Sequence, residues 1–182
     1  MTYYGGKELA AAFRTVRNNT IKIAEEIPES QYGFKPAPDT SSIGQTLAHI
    51  AVSTGFQTYV VENKVTDMMT VKFQELFQTF RALESTPRTK AELIAFLKSQ
   101  GEAFASLLEA LPESVLSETV TMPPGAQPPI KSRFEMLLSA KEHEMHHRGQ
   151  LMTMQRMIGL VPHVTREAQE RMARMTAAAA QK

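Results

Sequence analysis

No cysteine occurs in the 182 residues of this chain. That excludes disulfides, thiolate metal ligands and a cysteine nucleophile, and leaves histidine and the carboxylates as the strong ligands. A secreted disulfide scaffold is excluded with them. Neither charge is in excess: 20 Lys and Arg stand against 19 Asp and Glu, a net charge of +1. The two signs are interspersed and form no basic stripe, so nucleic acid is not expected as a partner. No apolar run approaches the roughly 20 residues that span a bilayer. The first residues lack the charged start and apolar stretch of a signal peptide. No membrane partner is expected, and the compartment expected is the cytoplasm. Alternating strand patterns of any length are also missing. What remains is one domain long enough to bury a real core.

Helical periodicity fills most of that length. Residues 7–27 place Leu9, Phe13, Val16, Ile23 and Ile27 at helical spacing before Pro28. A loop with Tyr32 and Phe34 as plugs over the core follows. Ser42 and Gln45 have the form of a capping box for a helix over 43–63. A shorter helix within 67–84 carries Phe73, Leu76, Phe77 and Phe80. Thr89 and Glu92 form a second box, for a helix over 90–111. The Pro-rich stretch from Thr119 to Ile130 predicts an irregular loop or a short ribbon. Ser132 and Glu135 make a third box, heading a helix that runs to about 158. After Gly159 and Pro162 a last helix covers 165–179, with a weak apolar face. The expected fold is all-α, a four-helix bundle over 1–162. Residues 163–182 form a C-terminal helix packed on the bundle or on a second subunit.

Three of the five histidines fall within ten residues, K-E-H-E-M-H-H-R-G-Q at 141–150. Positions four apart share a helix face, so His143 and His147 can close on one ion. On a wheel of about 100° per residue, Met136, Met154 and Ala140 fall close to both, which directs the pair into the bundle. Glu144 and Arg148 then point away from the core and pair with each other. His146 lies on the shoulder, and His163 beyond Pro162 reads as a helix-entry or surface residue.

The third ligand is expected from His49, in a helix nearly free of charge from Ile43 to Val61. A polar group buried there without a partner costs roughly 1–3 kcal/mol. The bland reading, a core histidine bonded to a backbone carbonyl, suits His49 taken alone. An H-x-x-x-H pair on an apolar face does not suit it. Three histidines with an open position form the catalytic rather than the structural arrangement. Gln45, Glu142, Gln150 and Tyr59 are the candidates to orient a substrate by wheel position. Residues 143–147 also match H-E-x-x-H, the zinc-protease pattern with Glu144 as base and Glu167 as a further ligand. That reading lacks a strand-rich region to hold a peptide and leaves His49 idle. The 11 methionines, five of them between Met136 and Met157, read as core filling.

F-K-P at Phe34 to Pro36, S-x-x-x-x-L-A-H-I at Ser42 to Ile50 and H-E-M-H-H-R-G-Q-L at His143 to Leu151 resemble the DinB/YfiT-like superfamily of metal-binding bundles. The resemblance covers almost the whole chain and carries the family's ligand triad onto His49, His143 and His147. It implies an up-down-down-up bundle, often a homodimer, that binds a divalent cation such as zinc, nickel or manganese. Some members are thiol transferases or isomerases that use a low-molecular-weight thiol. The expected function is therefore a metal-dependent enzyme, a thiol-S-transferase or a hydrolase, that activates thiol or water at a three-histidine site. A non-catalytic metal-binding bundle in stress response or partner binding is the alternative, and it would have its site sealed.

Overall fold

A computed structural model describes residues 4–180. Residues 1–3 of the expected bundle domain and 181–182 of the expected terminal segment lie outside the described residues. The helices are α1 (Gly6–Glu26), α2 (Ile43–Glu62), α3 (Phe73–Ser85), α4 (Lys90–Ala110), α5 (Glu113–Leu116), α6 (Arg133–Met157) and α7 (His163–Ala179). Two three-residue strands, β1 (Thr119–Thr121) and β2 (Ile130–Ser132), close the Pro-rich stretch into an antiparallel ribbon. Val120 pairs with Lys131 at its centre.

The three capping boxes form as the sequence requires. Ser42, Thr89 and Ser132 each accept the amide of the residue three on, and Gln45, Glu92 and Glu135 reach back to the cap amide at 2.7–2.8 Å. Each box satisfies amides that no helical carbonyl can reach, which sets the first turn. The short α5 has no counterpart in the periodicity, because four residues are too few to show a helical pattern.

Four long helices make the bundle. α1 packs against α4 and α6, and α2 packs against the same two, so α1 and α2 occupy opposite corners. Two apolar clusters fix the directions. In one, the first half of α1 (Leu9, Phe13) meets the second half of α4 (Phe104, Leu108) and the first half of α6 (Leu137, Ala140). In the other, the second half of α1 (Ile23, Ala24) meets the starts of α2 (Ile43, Leu47) and α4 (Leu93, Leu97) and the end of α6 (Leu151, Met154). α1 and α6 therefore run one way and α2 and α4 the other, the up-down-down-up arrangement. A third cluster, around Val60, Met68, Val120 and Met136, seats the ribbon on the bundle's end. No helix is long and apolar enough to cross a membrane among the described residues.

Candidate metal centre

Between the two large clusters the core is polar. Arg17 of α1 is 3% exposed and Glu144 of α6 is fully buried. The Arg17 Nε donates to both carboxylate oxygens of Glu144 at 3.0 Å. Its Nη1 donates to the Leu97 carbonyl at 2.8 Å and its Nη2 to the Ile50 carbonyl at 3.2 Å. One guanidinium thus ties all four bundle helices together. Gly101 makes room for it, since a Cβ there would stand 2.7 Å from Arg17 Cγ.

This corrects the expected outward pairing of Glu144 with Arg148. The wheel had the right spacing but the wrong facing direction. Arg133, Ala140, Glu144, Leu151 and Gln155 are buried on α6, and they centre the buried arc about 80° from His143. His143 and His147 sit at its edge, half-buried. A signal was present: Arg17 occupies the position four after Phe13 on the apolar stripe of α1, where a lone cation needs a buried partner.

The edge position brings the histidines to a shared point. One ring nitrogen from each of His49, His143 and His147 lies within 4.8 Å of the other two. His49 Nε2 and His143 Nε2 are 2.9 Å apart. The far nitrogens of two rings are tied down. His49 Nδ1 donates to Glu84 Oε1 of α3 at 2.8 Å, and His147 Nδ1 donates to Gln150 Oε1 at 2.8 Å. Gln150 in turn directs its Nε2 at His146 Nε2, 3.2 Å away. With Nδ1 carrying the proton, the Nε2 lone pairs of His49 and His147 face the shared point. Burial, then the neighbouring imidazoles, push the His143 pKa down to about 4. Burial also lowers that of His147. These imidazoles are neutral at pH 7, the form that binds metal.

The other candidates separate cleanly. His146 is exposed and stands behind Gln150, outside the cluster. His163 is not a surface residue: it opens α7, is 3% exposed and bonds Asn19 Oδ1 through Nε2 at 3.0 Å. Gln45 lines a cavity with His49 and also serves its capping box. Glu142 is exposed, while Tyr59 packs with the third cluster. The H-E-x-x-H reading fails because Glu144 is held by Arg17 and Glu167 pairs with Lys22 at 3.1 Å. Of the five methionines of 136–157, Met136 and Met154 are core, whereas Met145 and Met157 are 44% and 54% exposed. Sequence periodicity missed Glu84, because nothing local to α3 says which helix it docks on.

Besides the cavity that Gln45 lines with His49, two more reach the triad. A cavity of about 450 Å³ reaches His49 and His147 past Thr40, Ser41, Thr46, Gln150 and Thr153. Another, of about 500 Å³, reaches His49 and His143 between α2, α3 and α6.

The model of the DinB superfamily matches residues 12–151. The uncharacterized protein YjoA of Bacillus subtilis is 26% identical over 152 residues, covering 84% of this chain and 90% of its own. The crystal structure of that DinB-like protein superimposes with a TM-score of 0.62 at 25% identity, over 84% of this chain and 92% of the other. YfiT of the same organism, described as a probable metal-dependent hydrolase with an unusual four-helix bundle topology, gives a TM-score of 0.65 at 13% identity, over 88% of this chain and 91% of its own. A DinB-like protein of Bacillus cereus gives 0.66 at 15% identity, over 88% and 97%. The last two likenesses concern the fold alone.

Proposed function

The chain belongs to the DinB superfamily, and from that premise we propose that it holds one divalent cation on His49, His143 and His147 and uses it to activate a small nucleophile. The reaction class is a hydrolase if the nucleophile is water and a thiol-S-transferase if it is a low-molecular-weight thiol. One observation carries the reading: three ring nitrogens converge while Glu84 and Gln150 hold the opposite nitrogens of two rings. Outer partners of this kind fix tautomer and ring orientation in histidine metal sites. The residues fit a cation: three ring nitrogens converge, and burial favours the neutral, metal-binding form of His143 and His147. An all-nitrogen set suits zinc or nickel better than manganese, which favours oxygen. The cation supplies Lewis acidity, which brings the pKa of water or a thiol down toward 7.

The chain's own residues supply position and access. His49 and His147 present fixed nitrogens, and the buried Arg17–Glu144 pair holds the backbone beside His49, at Ile50, and beside His143. Cavities on two sides give reactants room. That openness supports an enzyme over a sealed metal-binding module. The hydrolase arm draws further support from the description of YfiT.

Metal analysis of the purified protein tests the proposal. One zinc or nickel per chain is expected, lost in His143→Ala and retained in Glu142→Gln, whose side chain is exposed outside both cavities. Absence of bound metal from the wild type, or equal loss from both variants, refutes it. Metal-loaded protein assayed with a thiol panel and an ester panel then separates transferase from hydrolase.

A further inference from the structure

Of the cavities beside the triad, the one reaching His147 and the one reaching His143 differ in chemistry. The one next to His147 is walled by hydroxyls. The one next to His143 is walled by rings: Phe56 from α2, and Phe77 and Phe80 from α3. Phe56 and Phe77 stack with centroids 6.2 Å apart and planes 20° from parallel, and Phe80 meets Phe77 edge-on at 6.2 Å. The stack is incomplete, since Phe77 remains 42% exposed. α3 buries none of its residues, so Phe77 and Phe80 are not core filling, whereas Phe56 of α2 also packs against the third cluster. The helix lies close on α2, where Phe80 packs over Gly55 and a Cβ would stand 2.9 Å from its ring.

A cation stands at the same cavity. Arg81 follows Phe80 directly and is three residues before Glu84, near enough on a helix to pair with it. Glu84 instead bonds His49. Arg81 makes no hydrogen bond or ion pair among the described residues, while Arg88, in the connection after α3, is engaged with carbonyls of Leu83 and Thr86. On the α2 wall, Gln57 Oε1 is buried without a partner, and Gln57 Nε2 reaches only Ser139 Oγ at 3.4 Å.

We propose that this cavity seats an aromatic reactant bearing an anionic group, its ring against Phe56, Phe77 and Phe80 and its anion on Arg81. The volume of about 500 Å³ suits a molecule of one or two rings. A carboxylate meets an unengaged guanidinium in a two-pronged bond, and flat rings extend a stack by offset or edge contact. The ligand's reacting end then points at His143 and His49. This last step rests on the reading of the triad as a metal centre; the recognition itself does not.

The test therefore uses metal-free protein, prepared with a chelator, and measures binding of 2-naphthoate and of its uncharged analogue 2-naphthylmethanol by calorimetry or amide chemical shifts. Naphthoate is expected to bind about tenfold more tightly than the alcohol, the value of one exposed charge-assisted bond. Arg81→Gln should abolish that ratio while leaving the affinity for the alcohol within about twofold. Phe77→Ala should weaken both ligands by several-fold. Equal binding of the two ligands to wild type, an unchanged ratio in Arg81→Gln, or shifts confined to Thr40, Thr46 and Thr153 overturn the proposal. Metal content, measured separately on the same preparation before chelation, shows whether the triad reading stands or falls on its own.

Discussion

Replacing Arg17 with methionine removes the cation that compensates Glu144 but keeps most of the side-chain volume. The carboxylate is left fully buried, and the Leu97 and Ile50 carbonyls each lose a donor. Breaking a buried pair from one side costs ~3–5 kcal/mol, because the remaining charge has neither water nor partner. The two carbonyls add little, being within helices that already use one lone pair each. In a protein of this size a destabilisation of that magnitude lowers Tm by roughly 6–20 °C. Glu144→Leu, leaving the guanidinium orphaned, is expected to cost a similar amount. The double variant Arg17→Met/Glu144→Leu buries no charge at all and should recover most of the loss, within ~1–2 kcal/mol of wild type, since apolar replacement of a buried pair is often near neutral. Urea unfolding of all four proteins closes the double-mutant cycle. A coupling below ~1 kcal/mol refutes the account of the pair as an interdependent core element. Metal binding adds a second readout. The double variant should fold yet bind metal more weakly, because the guanidinium also ties Ile50, next to His49, to Glu144, next to His143.

Glu84→Gln should weaken metal binding by about 10–100-fold with little change in fold, since the carboxylate orients His49 from an otherwise unburied helix; competition with a chelating dye measures it, and unchanged affinity rejects the orienting role. The metal-free protein should lose stability as pH falls from about 6.5 toward the folded-state value of about 4 for His143. In that window the unfolded chain takes up a proton that the folded chain refuses, so acid favours unfolding; chelator-treated protein melted at pH 7, 5.5 and 4.5 gives the slope, and a His143→Gln variant should flatten it. A two-fold homodimer is proposed through α7, where Val164, Ala168, Met172 and Met175 follow helical spacing and both methionines are 61% exposed. Light scattering should give twice the chain mass, halved by Met172→Glu/Met175→Glu, and a monomeric wild type rejects this. Ser132→Ala should cost about 1 kcal/mol at the start of α6, the usual value of an N-cap hydroxyl, readable as a fall in Tm.

Local chemistry was legible in this chain wherever its cause is local. A capping box needs only a hydroxyl and a carboxylate or amide three residues apart, so the starts of α2, α4 and α6 were set by Ser42, Thr89 and Ser132. Helix spacing alone placed His143 and His147 on one shared face, and the motifs around His49 and His143 to Leu151 identified the family. Three questions depended on packing. The direction in which α6 faces was decided by Arg17 on α1, which draws Glu144 into the core and turns the histidines to the rim. The docking of α3 was decided by aromatic contacts with α2, and it alone brings Glu84 to His49 and opens a ring-lined cavity by His143. The burial of His163 required the fold to lay the start of α7 against Asn19. In each case the partner is distant in sequence, 127 residues for Arg17 and Glu144 and 35 for His49 and Glu84. A periodic pattern states that a face must be covered; only the tertiary structure supplies the group that covers it.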